Sequence, residues 1–176
     1  MNKIEKVIIQ RLDEILKNDY VRKKLDEIVK RVEEKLEKPP SSVLSWEPVP
    51  VEIYRENLPG GIKSSWVFVM SAGMNTGPER HPNSHQRMMS YRGSGNFPVF
   101  VNNRWHSNFL TDNPCGRLEE RWVSIPKNTW HYGIVSEKNW AVVSFHTVPA
   151  DELIEERPES SDLSLIKSRL YTKKNS

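Results

Sequence analysis

Short β-rich runs separated by turn residues occupy the chain from Ser41 to Val148, and they constrain its fold more than any other feature. Gly, Pro, Asn and Ser stand between the runs, and Asn102-Asn103 is placed to turn a hairpin. No long helical pattern interrupts the runs, although parallel strands need such a crossover. The sequence therefore predicts a mainly β, antiparallel sandwich or small barrel. The predicted strands are Val49–Arg55, Ser65–Ser71, Gln86–Arg92, Phe97–Trp105, His106–Leu110, Arg121–Ile125, Trp130–Val135 and Trp140–Val148.

The first 38 residues have a helical pattern instead. Apolar residues recur at spacings of three and four from Ile4 to Leu36, and Lys and Glu fill the positions between them. Asn18-Asp19 can cap a second helix, so the segment forms either one long helix or two. The prolines at 39 and 40 end the pattern. An apolar stripe of this kind must be covered, and we expect residues 1–38 to pack on the barrel or on a homodimer partner.

The predicted β domain covers residues 41–150, and the segment 151–176 follows it. Asp151–Glu156 is expected to form a short helix, and the remainder is expected to be a polar, partly ordered tail.

Composition narrows the partners and the compartment. The chain has 176 residues and a net charge of +3, with no basic run interleaved with aromatic residues, so we expect no nucleic-acid binding. No apolar run approaches the roughly 20 residues of a membrane helix, so we expect no membrane contact. Cys115 is the only cysteine, and a chain without an internal disulfide fits the reducing cytoplasm.

Metal-binding residue types are concentrated between Gly77 and Gly95. Glu79 and His81 are two apart and share one face of a strand, while Gln86 opens the next strand and His85 lies at the turn before it. His131 follows a proline in a second stretch, IPKNTWHYGIV at 125–135. Imidazole and carboxylate groups are common ligands of divalent metals. The pattern predicts a metal site in which these residues converge.

These residues resemble the two motifs of the cupin superfamily. Counting back from Gly93, Gln86 falls where the first motif has its Glu, while His81 and Glu79 fall on its two His positions. Pro126 to His131 fits the second motif, with Asn128 in place of Gly. The resemblance implies an antiparallel double-stranded β-helix, the jelly-roll barrel of cupins. Two ligand sets follow: Glu79, His81, Gln86 and His131, or the same set with His85 in place of Gln86.

Three alternative functions are considered, the first of which the resemblance implies. The first is a metal-dependent enzyme (a dioxygenase, isomerase or lyase) using Fe, Mn, Ni or Zn, and we favour an oxygenase-type reaction on a small-molecule substrate. The second is a module that binds or senses a small molecule without turnover. The third, which we favour least, is a regulator whose helices contact DNA, since Asn18-Asp19 is a poor turn for that purpose.

Three further expectations concern the orientation of one strand and the positions of two histidines. Inward orientation of Gln86 would place Met88 and Ser90 inward as well, and Arg87, Met89 and Tyr91 on the other face. His146, in the last strand, lines the cavity or forms hydrogen bonds at the end of the barrel. His106 is expected at the surface.

Overall fold

The computed structural model describes residues 1–37, 43–55, 58–159 and 165–173. The prolines expected to end the helical segment lie outside this part of the chain. Two helices, α1 (Lys3–Leu16) and α2 (Asp19–Glu37), precede the strands. The break between them lies where the sequence predicts it. Oδ1 of Asn18 caps α2, since it accepts a hydrogen bond from the backbone N–H of Tyr20 at 3.0 Å. Among the described helices, none is both long and apolar enough to cross a bilayer.

Twelve strands follow in the described part of the chain. They are β1 (Leu44–Val49), β2 (Ser64–Met70), β3 (Gln86–Arg92), β4 (Ser94–Asn96), β5 (Val99–Val101), β6 (Arg104–His106), β7 (Phe109–Thr111), β8 (Trp122–Ile125), β9 (Ile134–Val135), β10 (Trp140–His146), β11 (Ile154–Pro158) and β12 (Ile166–Leu170).

The strand pairing has the nested order of a jelly roll. Strands β5 and β6 pair across Asn102-Asn103, β4 pairs with β7, and β3 pairs with β8, as in one long hairpin. Strand β9 then pairs with the other edge of β4, and β10 with the other edge of β3. The sheets β1-β2-β10-β3-β8 and β7-β4-β9 result. The predicted antiparallel fold with N-terminal helices is therefore confirmed.

The Asn102-Asn103 turn shows why the central hairpin forms where the sequence places it. Both asparagines have positive φ, 51° and 59°, and two such residues form the turn that matches the twist of paired strands. Asparagine tolerates this left-handed region better than most residues.

Two predicted elements are wrong. Val49–Arg55 is not a strand, because β1 ends at Val49 and Val51–Tyr54 forms a 3₁₀ turn. This turn buries Tyr54, whose hydroxyl lies 2.7 Å from Oγ of Ser65. The helix predicted at Asp151–Glu156 is also wrong, since only Ala150–Glu152 forms a 3₁₀ turn and β11 begins at Ile154. The segment expected to form a polar tail contains β12 instead, which pairs with β11.

Two apolar layers lie on opposite faces of the five-stranded sheet. The outer layer joins the helices to the sheet, and its buried members include Leu12, Leu25, Val67, Val143 and Phe145. The helices thus cover the sheet, as one of the two alternatives for residues 1–38 predicted. The inner layer, which fills the space between the sheets, is formed by Met70, Met88, Phe97, Val99, Leu110, Val123, Ile125, Val135, Trp140 and Val142.

Strand β3 has the predicted alternation. Met88 belongs to the inner layer, whereas Met89 packs against the outer layer beside the helices. Arg87 contacts Glu5 of α1, and the hydroxyl of Tyr91 contacts Asp26 of α2. Gln86 shares the inward face with Met88, because successive side chains in a strand point to opposite faces.

Candidate metal centre

The two motif segments pair with each other through their backbones. The N–H of Glu79 donates to the carbonyl of His131 at 2.9 Å, and the reciprocal bond has the same length. Asn128, in the position of the motif glycine, has φ = 61° and donates its N–H to the carbonyl of His81 at 2.9 Å. This turn is what brings His131 back beside the first motif. Local backbone chemistry therefore places the three side chains together.

Glu79, His81 and His131 form a group whose candidate ligand atoms lie within 4.8 Å of one another. Nδ1 of His81 lies 2.9 Å from the carbonyl oxygen of Ile154, and Nδ1 of His131 lies 2.9 Å from that of Thr129. A carbonyl can only accept, so both Nδ1 atoms carry the proton. In its neutral form each ring then has its lone pair on Nε2, the state in which an imidazole binds a metal.

The environment of His131 favours this neutral form. The ring is fully buried, and burial together with the neighbouring His81 lowers the pKa of His131 to about 3. Its Nε2 has no hydrogen-bond partner and lies 3.7 Å from Oε1 of Glu79. A buried nitrogen without a hydrogen-bond partner is unfavourable, and a cation bound between Nε2 of His131 and the Glu79 carboxylate would satisfy it. The residues present therefore fit a divalent metal ion.

An ion-pair network from the C-terminal hairpin holds the Glu79 carboxylate. Arg157 donates from one terminal nitrogen to Glu79, from Nε to Glu155 at 3.0 Å, and from the other terminal nitrogen to the carbonyl of Thr76 at 2.8 Å. Arg169 donates to the second oxygen of Glu155 at 2.6 Å. Glu155 is fully buried, and its two arginines compensate its charge. The network fixes the orientation of the Glu79 carboxylate.

Gln86 lies at the same cavity and is anchored by a chain of hydrogen bonds. Its Nε2 donates to Oγ of Ser144 at 3.0 Å, and Oγ of Ser144 lies 3.0 Å from Nε2 of His146. Nδ1 of His146 lies 3.3 Å from Oγ of Ser84, whose own proton points to the carbonyl of His85. His146 therefore fills the hydrogen-bonding role that was one of its two predicted alternatives.

The buried position of His146 has two consequences. Its pKa lies well below the ordinary value, because the ring is buried and lies beside His81 and His131. Both of its ring nitrogens contact serine hydroxyls, so His146 offers no further metal-binding nitrogen to the group of three.

His85 is not brought into the group. It lies on the helix side of the sheet, where Nε2 is 2.8 Å from Oγ of Ser124 and 3.5 Å from Oε1 of Glu5. The alternation of β3 explains the separation, since neighbouring residues of a strand face opposite ways. Burial and the nearby Arg87 lower the pKa of His85. His106 lies exposed in β6, as predicted.

The cavity beside the group is small, about 30 Å³, which is room for only a few non-hydrogen atoms. Tyr171 closes one side of it and is buried among Trp46, Trp66, Phe68 and the ring of His81. Burial and the carboxylates of Glu79 and Glu155 raise the pKa of Tyr171 well above its ordinary value. The lining residues are Leu44, Phe68, Met70, Thr76, Glu79, His81, Gln86, Met88, Phe97, Val142 and Tyr171.

Sequence reasoning missed the contribution of the C-terminal hairpin. Glu155, Arg157, Arg169 and Tyr171 all lie in the segment expected to be a short helix and a polar tail. The available signal was the alternation in Ile154–Pro158, where the acidic residue at 155 and the basic residue at 157 share one strand face. A buried ion pair makes such a strand resemble a solvated tail in composition.

No protein-family model and no curated protein matches the chain. Among solved structures it is similar to an oxalate oxidase in complex with the substrate analogue glycolate, with 15% identity and a TM-score of 0.47 over 63% of this chain and 53% of the other. It is also similar to pumpkin seed globulin, with 20% identity and a TM-score of 0.45 over 53% and 23% of the two chains.

A third similar structure is CapF with the inhibitor 3-isopropenyl-tropolone, at 14% identity and a TM-score of 0.43 over 51% of this chain and 26% of CapF. The chain thus spans about half the length of the oxalate oxidase and about a quarter of the other two. All three are cupin-fold proteins, the fold that the two motifs of this chain imply. We carry over no ligand from them and infer function from the site residues.

Proposed function

We propose that the chain is a cupin-type metal-dependent enzyme acting on a small molecule, with Glu79, His81 and His131 as the metal ligands. The observation that carries this proposal is the contact between the unpaired Nε2 of His131 and Oε1 of Glu79, 3.7 Å apart. Two imidazoles and one carboxylate form the donor set that suits Fe(II) and related divalent ions such as Mn, Ni and Zn.

Each neighbouring residue then has a definable task. Arg157 orients the Glu79 carboxylate, and the carbonyls of Ile154 and Thr129 hold the two imidazole rings in the required tautomer. Gln86 reaches the same cavity and is a further candidate ligand through its amide oxygen, and we assign His85 no part in metal binding. Apolar walls limit access of water to the cavity.

We propose an oxygenase-type reaction in preference to an isomerase or lyase reaction. A divalent ion with open positions supplies Lewis acidity and, in the case of iron, one-electron chemistry toward O₂. The test is O₂ consumption by protein loaded with Fe(II), Mn(II), Ni(II) or Zn(II), measured over a panel of small acids and small neutral hydroxy compounds. O₂ consumption that requires iron and occurs with only one class of substrate supports the proposal. No O₂ consumption with any metal or substrate contradicts it.

Two variants make that experiment specific. His131→Asn removes the buried donor atom, and we expect it to abolish both metal uptake and O₂ consumption. His106→Asn changes an exposed histidine of β6 and serves as the matched control, with uptake and consumption unchanged.

A small-molecule binding or sensing module is the alternative that a specific observation favours. Gln86 stands where the first cupin motif has a carboxylate, and its amide is already bonded to Ser144. A metabolite that copurifies with metal-free protein, without turnover, would support this alternative over the enzyme.

We further propose that the protein is a homodimer. Ile4 and Val7 of α1 are 74% and 59% exposed, which leaves apolar surface on a helix whose other face is already buried. Mass measurement by light scattering for the wild type and for Ile4→Glu tests this: a dimer that the substitution converts to a monomer supports it, and a wild-type monomer contradicts it. The absence of nucleic-acid contact, the absence of membrane contact and the cytoplasmic location remain predictions.

A further inference from the structure

The cavity beside the group of three contains a buried polar atom that the three-ligand site of Glu79, His81 and His131 leaves without a partner. Oε1 of Gln86 is buried and has no hydrogen-bond partner. A buried acceptor without a donor costs free energy, and buried polar atoms in native proteins are nearly always paired. A group that enters this cavity and supplies the missing donor would remove that cost.

The neighbouring hydrogen bonds determine that the side-chain oxygen of Gln86, and not its nitrogen, is the atom without a hydrogen-bond partner. Ser84 has one hydroxyl proton, and it points to the carbonyl of His85, so the contact with His146 needs a proton on Nδ1 of His146. Nε2 of His146 is then an acceptor for the hydroxyl of Ser144, which accepts in turn from Nε2 of Gln86. The chain of bonds has one consistent direction, and it ends with Oε1 as an acceptor.

The rest of the lining has little to offer an anionic group. Among the described residues no Lys or Arg lines the cavity, and Glu79 is the one charged side chain that does. Arg157 lies nearby, but its three nitrogens contact Glu79, Glu155 and the carbonyl of Thr76. In metal-free protein a carboxylate placed against these walls would have no cationic partner and would face the Glu79 carboxylate, which is costly in a buried site.

Most of the other lining residues are apolar, apart from His81, Tyr171 and Thr76. Leu44, Phe68, Met88, Phe97 and Val142 form most of the surface that a ligand would contact. The hydroxyl of Thr76 already has partners within the protein. It accepts from the N–H of Gly133 at 2.9 Å and donates to the carbonyl of Gly77 at 3.2 Å. Apolar surface with a few placed polar groups is the usual composition of a small-molecule site.

We propose that the cavity takes an uncharged small molecule that donates one hydrogen bond to Oε1 of Gln86 and packs its apolar part against these walls. Gln86 is then the residue that selects a ligand with a hydrogen-bond donor, and in metal-free protein small neutral hydroxy compounds are preferred to small acids. The inference deepens the proposed function, on which it rests, by naming the class of molecule that the same cavity accepts.

Three small compounds of nearly equal size separate the effect of a hydrogen-bond donor from the effect of charge. Hydroxyacetone is neutral and carries a hydroxyl donor, methyl acetate is neutral and has none, and propionate is an anion. Binding is followed by the ¹³C-methyl signals of the methionines. Met70 and Met88 line the cavity and report binding, whereas Met89 packs on the helix side and serves as the internal control.

We expect hydroxyacetone to shift the signals of Met70 and Met88, but not that of Met89, and to bind roughly 3- to 10-fold more tightly than methyl acetate, the size of one net hydrogen bond. In metal-free protein propionate should bind more weakly than hydroxyacetone. Gln86→Leu should remove the preference for hydroxyacetone over methyl acetate. Gln86→Glu keeps an acceptor oxygen and should retain that preference, which covers the case in which Gln86→Leu does not fold.

The proposal is overturned if methyl acetate or propionate binds metal-free protein as tightly as hydroxyacetone does, if Gln86→Leu keeps the preference, or if none of the three shifts Met70 and Met88. The titrations are run on Zn²⁺-loaded and on metal-free protein, with zinc uptake measured separately. Failure to take up zinc contradicts the proposed function, whereas loss of the preference for hydroxyacetone in metal-free protein contradicts only the choice of substrate class.

Discussion

Nε2 of His131 lies 3.7 Å from Oε1 of Glu79, and neither atom has a proton to offer the other. The Nδ1 proton of His131 is held by the carbonyl of Thr129, while Arg157 holds the other oxygen of Glu79. A buried imidazole nitrogen that has no hydrogen-bond partner and faces a carboxylate oxygen is well placed to bind a cation. This relationship joins the two halves of the site, which are 52 residues apart in sequence.

Metal should stabilise the folded protein. A ligand that binds only the native state adds about 2.7 kcal/mol when its free concentration is 100 times the dissociation constant. We expect the melting temperature of metal-free protein to rise on addition of Zn²⁺ or Mn²⁺, and Glu79→Gln to reduce the rise. His106→Asn, on the exposed strand β6, should melt and respond as the wild type does.

Glu5 should stabilise the protein in a pH-dependent way. Burial alone would raise the pKa of the Glu5 carboxyl, but the bonds from Arg87 and Ser124 hold it below its ordinary value of 4.5. The contribution is therefore full above about pH 4.5 and is lost as the pH falls through the lower folded value. Glu5→Gln leaves Arg87 without its charge partner, at a cost of roughly 3 kcal/mol at pH 7.

Denaturant unfolding at several pH values checks this prediction. The difference between the wild type and Glu5→Gln should be constant from pH 7 to about 5 and should shrink below that. Glu14→Gln on the same helix is the control, because its side chain is 64% exposed. A difference that grows on acidification would show that the ion pair with Arg87 does not stabilise the fold.

The helices should be integral to the fold and not a detachable dimerisation arm. Leu12 is fully buried between α1 and the sheet, so Leu12→Ala should lower the free energy of unfolding by about 3 kcal/mol. Gln10→Ala, two residues earlier and exposed on the same helix, should change it by less than about 0.5 kcal/mol. Equal effects of the two substitutions would contradict the placement of α1 on the outer face.

The C-terminal segment should be as important for stability as the central strands. Tyr171 packs edge-on against Trp46 and Trp66, with ring centroids 5.4 and 5.5 Å away. Tyr171→Ala should cost about 3 kcal/mol, measured by chemical unfolding. Leu165→Ala, at an exposed position just before β12, should have little effect. A fully stable Tyr171→Ala protein would indicate that the segment is a loosely attached tail.

Much of this architecture is readable from sequence because local chemistry dictates it. The turn at Asn102-Asn103, the helix break at Asn18 and the alternation of β3 each follow from a few neighbouring residues. The placement of His81 beside His131 came from a resemblance, since no local rule joins segments so distant in the chain.

The remainder depended on tertiary structure. Val51–Tyr54 has the composition of a strand, yet burial of Tyr54 against Ser65 favours a turn. The strands β11 and β12 are rich in charge, and only their ion pairs with each other and with Glu79 make burial of Glu155 favourable. Sequence composition cannot distinguish such paired charges from solvated ones.

Metal content is the most direct test of the central claim that Glu79, His81 and His131 bind one ion. The measurement is equilibrium binding of Zn²⁺ or Mn²⁺ to metal-free protein, with elemental analysis of the wild type, His131→Asn and the control His106→Asn. We predict one equivalent in the wild type and in His106→Asn, and none in folded His131→Asn. A folded wild type that binds no metal, or a His131→Asn protein that retains a full equivalent, would contradict the account.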